Sequence, residues 1–126
     1  MSETATEDLF GLEQAPPRIL DRKEAAALLE VLQALRTHPA VAWCERMNSG
    51  AVRIGGRFLR FGFKGCPDVL GQLRDGRLLA TEVKGPTGKL RSEQAVFLDR
   101  VRAAGGVAFV AKDLRDVMRE LKEMTS

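Results

Sequence analysis

Apolar residues recur at helical spacing near the start of the chain. The stripe consists of Leu28, Leu32 and Leu35. This spacing predicts an amphipathic helix from Arg22 to about Thr37. Asp21 precedes it as an N-cap residue, and Glu24 lies three residues further on, where it completes a capping box.

Runs of apolar residues between turn signals predict strands in the rest of the chain. They are Val41 to Arg46, Asp68 to Leu73, Arg77 to Lys84 and Val107 to Ala111. Ala51 to Phe63 is a basic stretch punctuated by glycines, which fits either a hairpin or a mobile loop. Asn48 to Gly50 reads as a turn before it.

Two further helices are predicted in the second half. Ser92 is a suitable N-cap for a helix that runs to about Ala104, where Gly105-Gly106 ends it. Asp113 caps a last helix. Its predicted inward stripe is Leu114, Val117, Met118 and Leu121.

The order of these elements indicates an α/β fold. A helix, three strands, a helix, a strand and a helix form a mixed β-sheet flanked by α-helices. The helix at Ser92 is long enough to serve as the crossover between two parallel strands.

Charge is distributed unevenly along the chain. Residues 1–17 hold four acidic residues and no Lys or Arg, lack periodicity, and are interpreted as a flexible acidic arm. Residues 18–126 then form one domain with 20 basic and 13 acidic residues, a net charge of +7. Such a domain suits an enzyme acting on nucleic acid, because phosphates supply much of the binding energy, but it also suits an ordinary soluble protein.

The sequence also bears on location. No run approaches the roughly 20 apolar residues of a membrane span, and the N-terminus has no apolar signal region. We therefore expect a cytoplasmic protein without a membrane partner. Cys44 and Cys66 lack metal-site spacing and are interpreted as reduced, and His38 and Trp43 as structural.

Three residues could carry hydrolytic chemistry. Pro67-Asp68 is followed, after thirteen residues, by Glu82-Val83-Lys84. Two carboxylates on adjacent strands can hold a divalent metal, and a lysine beside them can orient water or stabilise negative charge. Glu82 and Lys84 share a face of their strand, whereas Val83 faces the core. The same spacing also arises from solvated surface charges, so it does not decide the function by itself.

The register of the hairpin decides whether the two acids meet. A two-residue turn at Asp75-Gly76 would place Asp68 opposite Val83 and break the site. A three-residue loop, residues 74–76, places Asp68 opposite Glu82 and needs a left-handed last residue, which Gly76 supplies. We therefore predict a three-residue loop with a bulge, or an equivalent shift of one residue.

Several co-linear motifs resemble one nuclease family. They are Gly65-Cys66-Pro67-Asp68-Val69-Leu70-Gly71, Glu82-Val83-Lys84, Thr87-Gly88-Lys89-Leu90 and Ser92-Glu93-Gln94, with further matches at residues 46–51, 61–62 and 103–108. Together they resemble the virus-type replication-repair nuclease (VRR-NUC) family of the PD-(D/E)XK nucleases. The resemblance covers about residues 22–111 and implies a restriction-endonuclease-like core.

The resemblance also implies roles for individual residues. Asp68, Glu82 and Lys84 match the family's catalytic residues, with Asp68, Glu82 and Val83 as positions that bind Mg²⁺ or Mn²⁺. Glu24 matches a glutamate near the metal, although it has a competing role in the capping box. Gln94 matches the glutamine of the helix after the lysine strand, with a partly exposed helix residue as the alternative.

Six basic residues are candidates for phosphate contacts, although each could equally be simple surface charge. They are Arg53, Arg57, Arg60, Lys64, Lys89 and Arg91.

The expected function is hydrolysis of DNA. We expect a stand-alone, phage-type member that acts as a homodimer on branched DNA similar to a Holliday junction, in a bacterial or phage-infected cell. The alternatives are a flap or single-strand-end repair nuclease, and a DNA-binding accessory protein without catalytic activity.

Overall fold

The computed structural model describes residues 12–14, 22–47 and 50–124. In chain order, the elements are β1 (Leu12–Gln14), α1 (Arg22–Thr37), β2 (Val41–Arg46), β3 (Gly50–Ile54), β4 (Arg57–Phe61), β5 (Val69–Leu73), β6 (Leu78–Val83), α2 (Ser92–Ala103), β7 (Val107–Ala111), α3 (Leu114–Glu120) and a 3₁₀ turn (Lys122–Met124). The chain divides into two compact units. We call residues 1–19 and 48–63 the hairpin unit, and residues 20–47 and 64–126 the core unit.

The core unit is a mixed four-stranded sheet with helices on both faces, which confirms the predicted α/β fold. Its strand order is β2-β5-β6-β7. The first three strands are antiparallel, and β6 pairs with β7 in parallel. α2 is the crossover between these parallel strands, as the sequence predicted.

The two faces of the sheet are covered by different helices. Buried residues of α1 and α3, such as Leu35 and Val117, form one core with Leu79 and Phe109 of the sheet. On the other face, Leu98 of α2 packs with a smaller cluster that includes Ala80 and Ala108. Both cores meet at β6, which therefore has every residue buried except Leu78.

α1 has the predicted bounds and the predicted stripe. Leu28, Leu32 and Leu35 are buried, because residues three and four apart share one side of a helix. The predicted N-cap, Asp21, lies outside the described residues.

The predicted stripe of α3 is half wrong. Val117 and Leu121 are fully buried, but Leu114 and Met118 are 44% and 52% exposed. At 100° per residue, the mean direction of the second pair lies about 60° around the helix from that of the first, and a helix of seven residues has only one side against the sheet. The predicted cap is confirmed, since the Asp113 carboxylate accepts hydrogen bonds from Arg115 N–H and Asp116 N–H.

The hairpin unit contains a three-stranded sheet with the order β1-β3-β4. The sequence left residues 51–63 open between a hairpin and a mobile loop, and they form the hairpin. Gly55 and Gly56 link its strands with φ values of +52° and +81°, a conformation that glycine adopts readily in tight hairpin turns. Three residues of the predicted arm, Leu12–Gln14, form β1 and pair with β3.

His38 is a buried imidazole at the end of α1. Its Nδ1 accepts a hydrogen bond from Ala40 N–H at 3.0 Å, which requires this nitrogen to be unprotonated. Burial lowers the pKa of His38 below its ordinary value of 6.5. Neutral His38 is therefore part of the folded state.

We expect the stability of the fold to depend on this titration. As the pH falls below about 6.5, the unfolded chain takes up a proton that the buried imidazole does not, so the free energy of unfolding decreases. Above that pH, His38 is neutral in both states and its contribution is complete. Chemical denaturation at several pH values measures the slope.

The matched control is His38→Asn, because the asparagine side-chain oxygen can still accept the hydrogen bond from Ala40 N–H. His38 is the chain's single histidine, so no other imidazole can produce the effect. If the free energy of unfolding of His38→Asn decreases as much over the same pH range as that of the wild type, the pH dependence does not come from His38.

Candidate active site

The β5–β6 hairpin has the register on which the site depends. Gly71 pairs with Leu79, and Val69 pairs with Thr81; one step further along the same register, Asp68 stands opposite Glu82. The loop of residues 74–76 is closed by the hydrogen bond from Leu73 N–H to Arg77 O, at 2.9 Å. Gly76 has a φ of +96°, so the predicted three-residue loop is confirmed.

Asp68 is fixed from two sides at the start of β5. Its carboxylate Oδ2 accepts a hydrogen bond from Val83 N–H at 2.8 Å. Its main-chain carbonyl accepts one from Met47 N–H at 2.7 Å. The side chain thus lies against the main chain of β6, beside Glu82 and Lys84.

The turn before Asp68 packs against α2. Gly65 has a φ of +81°, and a Cβ added there would collide with the main-chain carbonyl of Glu93. This close approach is possible only for glycine. It holds the Gly65-Cys66-Pro67 segment in place and so determines where Asp68 enters the sheet.

Glu82 and Lys84 are charged residues in the interior. Their residues are 1% and 5% exposed, and Lys84 Nζ lies 3.8 Å from Glu82 Oε1. Both carboxylate oxygens of Glu82 are buried. Removing two charges from water costs free energy that their attraction often fails to recover, so this pair indicates a role other than stability.

The loop after β6 packs against Lys84. Gly88 N–H donates to Gly85 O at 3.1 Å, and a Cβ added at Gly88 would lie 3.3 Å from Lys84 Cβ. The sequence predicts only a loop at residues 85–89. Two glycines three apart directly after a strand are a turn signal that could have pointed to this packing.

Glu24 lies next to the end of β6. A Cβ added at Gly85, the residue after Lys84, would lie 3.6 Å from Glu24 Cβ. α1 thus brings Glu24 close to the lysine strand. Among residues 12–14, 22–47 and 50–124, however, no three acidic, histidine or cysteine side chains form a group that could hold a metal ion, so Glu24 does not complete a three-carboxylate cluster.

Gln94 begins α2. Its residue is 8% exposed, and its Oε1 accepts a hydrogen bond from Arg91 N–H at 2.9 Å. Arg91 therefore occupies the N-cap position, and the prediction of Ser92 as the N-cap was wrong. The Ser92 hydroxyl instead donates to Glu93 Oε2 at 3.1 Å, because the buried amide of Gln94 already satisfies the start of the helix.

The predicted phosphate-binding residues are divided between the two units. Arg53 and Arg57 are exposed in the hairpin unit, and Lys64, Lys89 and Arg91 are exposed in the core unit. The side chain of Arg60 lies outside the described residues.

The pKa of Glu93 is lowered first by its own main-chain N–H, then by the Ser92 hydroxyl, and also by Lys64 and Arg91. These two cations therefore lie near the start of α2.

The donor set suits a hard divalent cation. Asp68 and Glu82 supply carboxylate oxygens, and Val83 could contribute only its main-chain carbonyl, because its side chain is buried in the core. Mg²⁺ and Mn²⁺ prefer oxygen ligands of this kind, whereas a structural zinc site needs Cys or His. The residues present therefore fit the expected metal.

A mixed sheet of this topology, with two acids and a lysine at its central hairpin, is typical of the restriction-endonuclease-like class of nucleases. The family model of the VRR-NUC domain matches residues 5–113. The chain belongs to this family and is a nuclease of the PD-(D/E)XK type, a hydrolase that binds DNA. Comparisons with curated proteins and with solved structures gave no match.

Within the part of the chain that the structure describes, no helix has the length and apolar character needed to cross a membrane.

Proposed function

We propose that this nuclease hydrolyses DNA phosphodiester bonds with Mg²⁺ or Mn²⁺ held by Asp68 and Glu82. The observation that carries the proposal is the hairpin register, which puts these two carboxylates opposite each other with Lys84 two residues further along. A bound divalent cation would polarise the scissile phosphate and lower the pKa of an attacking water.

The two carboxylates have different surroundings and different tasks. Oδ2 of Asp68 is oriented by Val83 N–H, which holds the carboxylate against β6 at the position proposed for the metal. Glu82 is buried, and a buried carboxylate is strongly favoured to coordinate a cation. Val83 adds its main-chain carbonyl.

Lys84 carries the positive charge of the site. Its ammonium group is almost fully buried, and a charge in a poorly hydrated site acts more strongly than one in water. Lys84 stabilises the extra negative charge on the phosphate in the transition state, or orients the attacking water. Gly88, which has no Cβ, leaves room for this side chain beneath the loop.

Glu24 and Gln94 support the site from the two helices. Glu24 lies beside Gly85, where a carboxylate can accept a hydrogen bond from a metal-bound water. Gln94 uses Oε1 to hold Arg91 N–H, and its amide nitrogen remains a donor on the same side of α2 as Leu98. In this arrangement Gln94 fixes the start of α2 and thereby the position of Arg91.

We propose branched DNA, cut by a homodimer, as the preferred substrate. Cations lie on both units of the chain, so phosphates of more than one strand can be neutralised. Exposed apolar side chains of the core unit, among them Leu29, Trp43 and Met118, supply surface for contact between subunits. DNA of this kind is available in the cytoplasm of a bacterial or phage-infected cell.

Metal binding can be tested without measuring activity. We expect Mg²⁺ or Mn²⁺ to raise the melting temperature of the wild type, because a ligand that binds only the folded state stabilises it by about 2.7 kcal/mol at 100 times its Kd. Asp68→Asn should lose most of this shift, since one charged ligand is gone. A shift of equal size in Asp99→Asn and Asp68→Asn would place the metal elsewhere.

The substrate proposal is tested by cleavage of labelled four-way junction, flap, single-stranded and duplex DNA, with Mg²⁺, Mn²⁺ or EDTA. Paired cuts in the junction by a dimer, shown by light scattering, are the expected result. Preferential cutting of flaps by a monomer would favour the repair-nuclease alternative. Tight binding of DNA without cleavage in either metal would favour the third alternative, a DNA-binding accessory protein without catalytic activity.

A further inference from the structure

The β3–β4 hairpin and the three residues after it concentrate cations and aromatic rings in one short segment. Residues 50–64 contain four basic residues, three phenylalanines and no acidic residue. Half of the six phenylalanines of the chain thus lie in this segment. The combination of positive charge with aromatic side chains is typical of surfaces that bind single-stranded nucleic acid.

Both faces of the hairpin are exposed near its tip. Every residue from Arg53 to Leu59 is exposed. Phe58 is 58% exposed and Leu59 is 44% exposed, although neighbouring residues on a strand point to opposite faces. Apolar side chains are therefore presented to solvent on either side of the β3–β4 tip, where Leu12 and Glu13 of β1 pair with Ile54 and Arg53 on the outer edge of β3.

Phe58 is supported by an arginine across the hairpin. Arg53 pairs with Phe58 in the β3–β4 register, and its guanidinium carbon lies 5.9 Å from the centre of the ring. This distance is within the range of a cation–π contact. It places a positive charge beside an exposed aromatic face, next to the glycine turn.

We propose that Phe58 stacks on an unpaired base of DNA, with Arg57 contacting the adjacent backbone phosphate. Bases in an intact duplex are stacked on one another and show only their edges in the grooves. The face of a phenyl ring can therefore stack only on a base that is already unpaired, as at a branch point, a flap or a single strand. The proposal rests on DNA as the substrate of the proposed function and specifies which part of it the hairpin unit recognises.

Charge favours DNA over a second copy of the chain as the partner. The segment has a net charge of +4 from Arg53, Arg57, Arg60 and Lys64, and DNA is a polyanion. The chain itself has a net charge of +3, so a second copy does not offer the dense negative charge that complements this segment, and the proposed homodimer would form through another surface.

The test is the affinity of the full chain for labelled DNA, measured by fluorescence anisotropy in EDTA so that nothing is cut. We expect Phe58→Ala to weaken binding of an oligo(dT) strand by roughly 5- to 150-fold, the equivalent of 1–3 kcal/mol for one stacked base. Binding of a plain duplex should be unchanged. Phe58→Trp should retain the affinity, whereas Phe58→Leu, which keeps apolar volume without a ring, should not.

Salt dependence separates stacking from charge. Arg57→Gln should weaken binding of all DNA and reduce the slope of log K against log salt by about 0.7 on a single strand. Phe58→Ala should leave that slope unchanged. Equal weakening of duplex and single strand by Phe58→Ala, or none of either, would overturn the stacking proposal.

A spectroscopic reporter tests stacking directly. Trp43 is the single tryptophan of the chain, so Phe58→Trp combined with Trp43→Phe leaves one indole at the hairpin tip. Quenching of its fluorescence by oligo(dT), but not by duplex, is expected. No quenching, together with dissociation of a dimer in Phe58→Ala by light scattering, would instead assign Phe58 to an interface between copies.

The outcome is independent of catalysis. If Asp68→Asn still binds oligo(dT) as the wild type does, stacking stands even where cleavage fails. If Phe58→Ala cuts every substrate normally and binds single strands normally, the nuclease proposal stands and the stacking proposal fails.

Discussion

Asp68→Asn and Lys84→Ala are each expected to lower the rate of DNA cleavage by at least about 10²- to 10³-fold, the loss typical of removing one preorganised electrostatic group. The asparagine oxygen can still accept the hydrogen bond from Val83 N–H, so the first variant removes the charge and keeps the local geometry. The second removes the buried cation that faces the developing charge. Initial rates at saturating metal, on the best substrate of the panel, measure both effects.

Two surface variants provide matched controls. Asp99→Asn removes a carboxylate whose side chain is 74% exposed on α2, and Lys112→Ala removes an exposed lysine after β7. Both should cleave at close to the wild-type rate. If Asp68→Asn or Lys84→Ala is folded and cuts as fast as these controls, the assignment of the active site is wrong.

Gly71→Ala is expected to destabilise the fold by about 3 kcal/mol or more, at the upper end of what overpacking costs. Gly71 pairs with Cys44 across β2 and β5. A Cβ added there would lie 2.5 Å from Trp43 O and 2.7 Å from Cys44 Cβ. Because one of these atoms is main chain, the strands themselves would have to separate. Denaturant titration measures the change in free energy of unfolding.

Gly76→Ala separates this steric effect from the loss of a glycine as such. A Cβ at Gly76 meets no atom within 4 Å, and its cost comes only from a φ of +96°, a strain of about 1–2 kcal/mol. Gly71→Ala should therefore be the more damaging variant. If Gly71→Ala lowers the free energy of unfolding less than Gly76→Ala does, β2 and β5 can move apart at little cost in free energy. The start of β5, where Asp68 lies, would then not be rigid.

The active site shows why its residues could be found in the sequence. Glu82 and Lys84 lie two apart, and the period of a strand puts them on one face whatever the rest of the chain does. The hairpin register follows from loop length and from a glycine that can adopt a positive φ. These are local properties, so the opposition of Asp68 and Glu82 was predictable before the fold was known.

The main elements were predictable for the same reason. α1, β2 and β7 have the predicted bounds, and Asp113 caps α3 as expected. Each is determined by the periodicity of its own apolar residues or by a capping residue beside it. The parallel pairing of β6 and β7 followed from the length of the helix between them.

Long-range contacts account for what the sequence did not reveal. Leu114 and Met118 fit the apolar pattern of a helix, but only the packing of α3 on the sheet decides which side is buried. Leu12–Gln14 is too short to show a period and becomes a strand through its partner β3.

The role of Gln94 likewise depended on tertiary structure. An amide at the third position of a helix can face solvent, a substrate or the helix start, and burial of α2 against the sheet selected the last of these through Arg91 N–H. Glu24 and Gly85 are 61 residues apart in sequence and adjacent in space, which no local pattern encodes.

The sequence by itself therefore determined the elements, the hairpin register and the acid–acid–lysine set, because those depend on neighbours along the chain. The tertiary structure alone decided which side chains are buried and which helices reach the site, because those depend on packing between distant segments.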